Sequence, residues 1–377
     1  MRILLATSSY PLHPGDGTAA AGLFCRDLAC LLRDRGLEVT VFTQRRPGRV
    51  RDDERLTVIR FPWWGRGRPV GSLDARRPAD LILGAGLLAL GAGYLTRTIR
   101  KHRIERVLAF WALPAGAWAR VARKLTGVPY DCWVLGSDVW RGGSSVIVRP
   151  LLRSILRNAG HLYADGEELR ARASELAERP AELLHSVRQG PEATPSAGRI
   201  RNRFVFIGRW APAKGADLLP AAADILRQAG WDFELVMRGD GPLGGKIRSD
   251  IRRFDLASRV SIGGPASAEE ALHLIGSADW VLIPSRRESI PLILWDALRA
   301  DRPVVATDVG DLGNAVRERG AGILARVATA PALAEAMARA LGSDRHRFAG
   351  PFLGREGIPL LERSADRIVE AFRHVKS

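Results

Sequence analysis

The chain has 377 residues, of which 46% are hydrophobic, a composition typical of a globular protein with room for two α/β domains. Its three cysteines, Cys25, Cys30 and Cys132, lack the spacing of metal ligands or of a disulfide framework, and its seven histidines are scattered singly. Lysine and arginine outnumber aspartate and glutamate by 57 to 41, but no nucleic-acid-binding motif accompanies this charge, so we expect neither a metal site nor a nucleic-acid partner.

Strand and helix patterns alternate through the first half of the chain. Strands are predicted at residues 2–7, 37–43, 105–111 and 129–136, and helices at 20–36 and 114–126. Residues 81–96, "LILGAGLLALGAGYLT", carry no charge, but a membrane-spanning helix needs about 20 apolar residues. We therefore interpret this stretch as a buried core helix, with contact to a membrane surface as the alternative. Short apolar strands separated by helices predict a doubly wound parallel sheet.

A change of pattern then divides the chain. Residues 189–202, "QGPEATPSAGRIRN", are rich in Gly, Pro and Ser and indicate a linker. Strand patterns resume at residues 203–208, 233–239, 259–264, 280–285 and 303–307. We predict an N-terminal domain over 1–195, a C-terminal domain over 196–358, and a last helix in 359–377 that packs back on the first domain. Because open α/β sheets bind ligands at the carboxyl ends of their strands, the cleft between the domains is the expected site.

Two strand-end loops of the second half carry charges suited to a phosphate ligand. In "GRWAPAKG", Arg209 follows a strand and Lys214 precedes the next helix, an arrangement that can clamp a pyrophosphate. In "PSRRESIPL", Glu288 precedes a helix predicted to begin near Ile290, whose first amides can bind an anion. Asp296 follows about two turns later and can serve another part of the same ligand. On spacing alone, exposed surface loops would explain both segments equally well.

Two further loops are rich in glycine. "RGDGPL" places Gly239 and Gly241 after a predicted strand, and "HPGDGTAAAG" places Gly15 and Gly17 in the first strand-to-helix loop. Neither loop matches the dinucleotide or P-loop fingerprint. Glycines at these positions nevertheless allow a backbone to approach a ligand closely.

With "GSDVW" at residues 136–140, these motifs resemble glycosyltransferase family 4, a retaining group with the GT-B fold of two facing Rossmann-like domains. The resemblance covers nearly the whole chain and is most specific over residues 205–325. It implies that Arg209 and Lys214 bind the donor pyrophosphate and that Glu288 contacts the transferred sugar, and that these three residues are the catalytic ones. The other donor-binding positions that it implies are Gly15, Gly17, Gly239, Gly241, Ser289, Ile290, Pro291, Leu292 and Asp296.

The sequence departs from the family pattern on the acceptor side. Members often carry a histidine in the first-domain cleft, where this chain offers Phe110, Trp111 and Leu135. Trp111 and Asp138 are the remaining candidates for the acceptor side, and Asp138 is equally suited to bracing a loop. The second acidic position is usually glutamate, and Asp296 is one methylene shorter.

The resemblance implies a retaining hexosyltransferase whose substrate is a UDP- or GDP-sugar and which needs neither a metal nor a cofactor. The expected acceptor is a glycan or a polyprenyl-diphosphate-linked glycan of cell-surface polysaccharide biosynthesis. The alternatives are a non-catalytic sugar-nucleotide-binding protein and an epimerase or phosphorylase of the same fold.

The positive charge is concentrated in the first half of the chain. Residues 1–160 hold 26 basic and 12 acidic residues, so an anionic membrane surface or a phosphate-bearing acceptor would be attracted there. An arginine-rich proteome would explain the same charge. Because the N-terminus lacks the pattern of a signal peptide, we expect a cytoplasmic protein, peripheral at the inner membrane face.

Overall fold

A computed structural model describes residues 1–13, 16, 20–65, 70, 73, 77–143, 145–146, 148–189, 200–344, 346–349 and 358–374. The chain divides into two compact units, one of residues 1–189 with 360–377 and one of residues 190–359. Each unit contains one parallel sheet flanked by helices, which confirms the prediction of an α/β protein with two Rossmann-like domains. Most of the predicted linker, residues 190–199, lies outside the described residues.

Unit 1 is built on a seven-stranded sheet with the order β3-β2-β1-β4-β5-β6-β7. Its strands are β1 (Arg2–Ala6), β2 (Glu38–Gln44), β3 (Thr57–Phe61), β4 (Arg106–Phe110), β5 (Tyr130–Val134), β6 (Leu162–Ala164) and β7 (Glu182–Leu183). Its helices are α1 (Ala20–Asp34), α2 (Pro78–His102), α3 (Ala117–Thr126), α4 (Ser137–Gly142), α5 (Val148–Arg157), α6 (Glu167–Ala177) and α14 (Leu361–His374). All residues of β4 and β5 are buried, as expected for parallel strands covered on both faces.

The C-terminal helix α14 packs against α1 of unit 1. Arg35 donates a hydrogen bond to Asp366 at 2.6 Å, and the guanidinium of Arg106 lies 4.8 Å from the ring centre of Phe372. Arg106 is also bonded through two nitrogens to Asp131, at 2.5 and 2.7 Å, inside the unit. These contacts attach the end of the chain to unit 1.

Unit 2 is built on a six-stranded sheet with the order β10-β9-β8-β11-β12-β13. Its strands are β8 (Arg203–Ile207), β9 (Glu234–Arg238), β10 (Val260–Gly263), β11 (Trp280–Ile283), β12 (Val304–Thr307) and β13 (Gly322–Ala325). Its helices are α7 (Leu219–Gln228), α8 (Gly244–Arg253), α9 (Ala268–Ser277), α10 (Leu292–Arg299), α11 (Gly310–Glu318), α12 (Ala330–Leu341) and α13 (His346–Ala349). The strand order reverses between β8 and β11, which are neighbours in the sheet.

Helix α2 differs from its predicted environment. Among the described residues, it alone is long and apolar enough to cross a membrane, and 33% of its most apolar stretch is buried. Its second half buries Leu95 and Ile99, but Leu81 and Ile82 in its first turns are 54% and 68% exposed. The interpretation of residues 81–96 as a buried core helix is therefore correct for the face that carries Leu87, Ala92 and Leu95 and wrong for the face that carries Leu81 and Ile82.

Candidate functional site

The loops that follow β8 and β11 bring together the main predicted site residues of unit 2. These two strands are adjacent, and the chain leaves them in opposite directions along the sheet. Such a switch point leaves an open crevice at the carboxyl ends of the strands, where α/β sheets bind ligands. The β8 loop carries Arg209 and Lys214, and the β11 loop carries Glu288.

Lys214 and Glu288 form an ion pair at this switch point. Lys214 ends a short 3₁₀ turn, Pro212–Lys214, and its ammonium group donates a hydrogen bond to the carboxylate of Glu288. The hydroxyl of Ser285 donates to the same carboxylate oxygen at 3.3 Å. Both members of the pair are half-buried, so their charges interact more strongly than those of a surface pair.

A second ion pair, which the sequence analysis did not identify, fastens the two loops together. Arg286 donates to both carboxylate oxygens of Asp217, at 2.7 and 2.9 Å, and its backbone N–H donates to the carbonyl of Ala213 at 2.8 Å. Burial opposes ionisation of Asp217, but the hydrogen bond and the charge of Arg286 outweigh it and hold the pKa of Asp217 below its usual value. The clamp fixes the relative position of Lys214 and Glu288.

The glycine-rich turn after β9 lies against the start of the β8 loop. A β-carbon at Gly239 would come within 1.9 Å of the carbonyl oxygen of Gly208, and one at Gly241 within 2.6 Å of that of Trp210. These glycines are therefore required for the close approach of the two loops. Arg209, in the same loop, is exposed, and its guanidinium has no hydrogen-bond or ion-pair partner among the described residues, while its carbonyl accepts from the N–H of Ala211 at 2.9 Å.

Helix α10 begins at Leu292, two residues later than predicted, with Pro291 in extended conformation as its N-cap. Ser289 is buried, and its hydroxyl donates to Asp311 at 3.3 Å. Within the described part of the chain, the backbone N–H groups of Ser289 and Ile290 have no acceptor, so they are available to an anion in front of the helix.

Asp296 lies in the second turn of α10. It is only 3% exposed, and its carboxylate is 4.0 Å from the guanidinium of Arg299 on the same helix. The predicted contact of Asp296 with a second part of the donor therefore stays a prediction.

The two acceptor-side candidates meet at the carboxyl edge of the unit 1 sheet. Trp111 follows β4 with φ 65°, a conformation that a bulky residue adopts only when its surroundings enforce it. The backbone N–H of Trp111 donates to the carbonyl of Trp133 at 2.9 Å. The backbone N–H of Ala112 donates to the carboxylate of Asp138 at 2.5 Å. Asp138 thus braces the strained turn, while its other carboxylate oxygen is buried without a partner among the described residues.

Burial raises the pKa of Asp138 from 3.8 to about 6. Because the folded-state pKa lies above the unfolded one, the folded state binds the proton more tightly, and stability is lost as pH rises from about 4 to about 6. We expect Asp138→Asn to keep the hydrogen bond from Ala112 and to unfold at a higher temperature than the wild type near pH 8. The shift corresponds to a gain of about 3 kcal/mol at most.

Thermal unfolding near pH 4 and near pH 8 measures this difference, which should vanish at the lower pH. Asp366→Asn is the control of opposite sign, since the hydrogen bond from Arg35 lowers the pKa of Asp366 and its loss should destabilise the protein near pH 8. If Asp138→Asn raises the unfolding temperature equally at both pH values, the raised pKa of Asp138 is not the cause of the gain.

Two other predictions concern the first loop and metals. Gly15 and Gly17 lie outside the described residues, although Asp16 between them is held by Arg46 at 2.6 Å. Among the residues that the structure describes, no group of three or more His, Cys, Asp or Glu side chains could hold a metal ion.

Comparison with known proteins identifies similar chains. The family model described as "Glycosyl transferases group 1" matches residues 201–343, and the "Glycosyl transferase 4-like domain" model matches residues 20–190. An uncharacterized glycosyltransferase of Methanocaldococcus jannaschii is 25% identical over 228 residues, which cover 60% of this chain and 62% of that protein, less than two thirds of its length. The 2-deoxystreptamine glucosyltransferase of Streptomyces kanamyceticus is 28% identical over 358 residues, covering 87% of this chain and 91% of that protein.

Among solved structures, HepE from Anabaena in complex with UDP-glucose has a similar fold. The two chains superpose with a TM-score of 0.73 at 17% identity, over 99% of this chain and 100% of the other. At this identity the likeness concerns the fold alone.

Proposed function

Because the chain belongs to glycosyltransferase family 4 and has its GT-B fold, we propose that it is a retaining glycosyltransferase that moves a sugar from a UDP- or GDP-sugar to a glycan or lipid-linked acceptor. The observation that carries this proposal is the ion pair of Lys214 and Glu288 at the switch point of the unit 2 sheet. It places a cation and a carboxylate side by side, as a ligand with both phosphate and hydroxyl groups requires.

In this proposal Arg209 and Lys214 hold the donor pyrophosphate, and Glu288 accepts hydrogen bonds from hydroxyls of the transferred sugar. Arg209 suits this role because it is exposed and no described side chain neutralises it. The amides of Ser289 and Ile290 add two donors for phosphate or sugar oxygens. The positive groups stabilise the charge that develops on the departing nucleoside diphosphate.

The reaction breaks the bond between the anomeric carbon and the phosphate oxygen. The acceptor hydroxyl forms its new bond to the same carbon from the same face, which retains configuration, and its proton passes to the departing phosphate. Glu288 takes no covalent part in this scheme, since its carboxylate is already engaged by Lys214 and Ser285. Neither a metal nor a cofactor is needed, because the basic side chains supply the positive charge.

Unit 1 supplies the acceptor side in this proposal. Trp111 offers an aromatic surface to a sugar ring, and Asp138 holds the turn that carries it. The excess of basic residues in the first 160 positions supports a polyprenyl-diphosphate-linked acceptor of cell-surface polysaccharide biosynthesis. The protein would then be cytoplasmic and peripheral at the inner membrane face.

Thermal unfolding with UDP, GDP, ADP or NAD tests the donor site. A ligand at 100 times its Kd adds about 2.7 kcal/mol, so we expect UDP or GDP to raise the Tm by a few degrees and NAD to have no effect. Lys214→Ala should abolish the shift. Arg227→Ala, which removes a cation paired with Asp224 within α7, should preserve it. If no nucleoside diphosphate raises the Tm of the wild type, the donor site is wrongly assigned.

A further inference from the structure

The outward face of α2 is an apolar stripe. Leu81 and Ile82 are exposed in its first turns, and small apolar residues continue the same face. The exposed positions that follow, about one per turn, are Ala85, Ala89 and Gly93. Trp64, which is 64% exposed, lies against this helix, since a β-carbon at Gly86 would be 3.0 Å from its ring. Gly86 is four residues after Ile82, so the ring extends the same apolar face.

The far end of this face is basic. Helix α3 runs beside α2 from Leu87 onward, because the indole N–H of Trp118 donates to the carbonyl of Leu87 and Arg100 donates to that of Leu125, both at 3.0 Å. The exposed basic residues of the two helices are Arg97, Arg100, Lys101, Arg123 and Lys124. Asp80 is the one acidic residue in the two helices, and it is buried.

The side chains of α2 divide along its axis into an apolar first part and a basic last part. Ile82 and Arg97 are about 22 Å apart along the axis at 1.5 Å per residue, so one face presents apolar groups first and charges afterwards. Leu95 and Ile99 on the opposite face are buried within unit 1, and a spanning orientation would require them to leave its core. Tryptophan is a residue that membrane interfaces favour.

We propose that this face, formed by Trp64, Leu81 and Ile82 with the five basic residues of α2 and α3, docks on an anionic lipid bilayer. The apolar residues enter the interface between headgroups and acyl chains, and the basic residues contact lipid phosphates. A second copy of the same face would oppose like charges, whereas anionic headgroups neutralise them. The docking itself does not depend on the proposed function. Only its purpose does, which is to bring the enzyme to a lipid-linked acceptor.

Cosedimentation of the full chain with vesicles tests this surface. We expect binding to vesicles of equal parts phosphatidylglycerol and phosphatidylcholine, and little binding to phosphatidylcholine alone. The double variant Leu81→Glu, Ile82→Glu should bind at least about tenfold more weakly, and so should Arg97→Glu, Lys101→Glu. Ile225→Glu on α7, a change of an exposed apolar residue in unit 2, is the matched control and should bind as the wild type does.

The same variants give outcomes that overturn the proposal. Binding that is equal for both vesicle types, or unchanged in both double variants, would exclude this face as the lipid contact. A wild-type dimer that the Leu81→Glu, Ile82→Glu variant converts to a monomer would instead assign the face to a second copy. The nucleotide-induced Tm shift should persist in all these variants. Its absence from the wild type would contradict the proposed donor site without affecting the vesicle result.

Discussion

Lys214→Ala is expected to lower kcat/KM for release of nucleoside diphosphate from the donor by about 10²–10³-fold, the effect of removing one group that stabilises charge in a transition state. The ammonium group of Lys214 is bonded to Glu288, which positions it at the switch point. Its charge matters most when the phosphate departs, and the loss should therefore fall largely on kcat. The measurement uses a hexose ester of the nucleoside diphosphate that the Tm series identifies, with water as acceptor.

Arg227→Ala is the control for this prediction as well. It removes one positive charge from the same unit, but its partner Asp224 lies three residues away on α7 and is also bonded to Gln228 at 2.7 Å. We expect its kcat/KM to stay within about twofold of the wild type, as for ordinary surface substitutions. A loss of less than about tenfold in Lys214→Ala would remove this residue from the catalytic centre.

The fold could be predicted from the sequence because both sheets are parallel and buried. Strand β11 is a continuous apolar run and β4 is apolar after Arg106, and polar loops follow the strand ends directly. The same rule predicts from the sequence that Lys214 and Glu288 lie at one edge of the sheet. Their direct ion pair required the structure, since 74 positions separate them in the chain.

The sequence could not assign the clamp of Arg286 and Asp217. The motif contains two adjacent arginines, and only the structure shows that Arg286, rather than Arg287, reaches Asp217 across 69 positions. The start of α10, by contrast, had an available signal. Ile290 precedes a proline, and the proline ring disfavours helical conformation in the residue before it, so the helix begins after Pro291.

The environment of α2 was mispredicted for a different reason. Its first half contains leucine, isoleucine, alanine and glycine on all sides, so no polar residue marks the face that the fold leaves uncovered. Composition therefore predicted a helix but not its exposure. The periodic pattern became informative only where Arg97 and Arg100 mark the outward face.

Gly215→Ala is expected to destabilise the protein by about 3–5 kcal/mol and to abolish the nucleotide-induced Tm shift. Gly215 has φ 66°, and a β-carbon there would lie 1.8 Å from the carbonyl oxygen of Pro284. The β8 loop would have to move away from the β11 loop, which would separate Lys214 from Glu288. Chemical denaturation gives the change in the free energy of unfolding, and the Tm series with nucleoside diphosphate gives the effect on the site.

Gly230→Ala separates the close approach from backbone strain. Gly230 has φ 77°, comparable to that of Gly215, but nothing lies within 4 Å of the position that a β-carbon would take. This variant should cost about 1–2 kcal/mol, the strain of a left-handed alanine, and keep the nucleotide shift. Equal losses in the two variants would show that strain alone accounts for the effect at Gly215. A nucleotide shift preserved in Gly215→Ala would mean that ligand binding does not depend on the contact between the two loops.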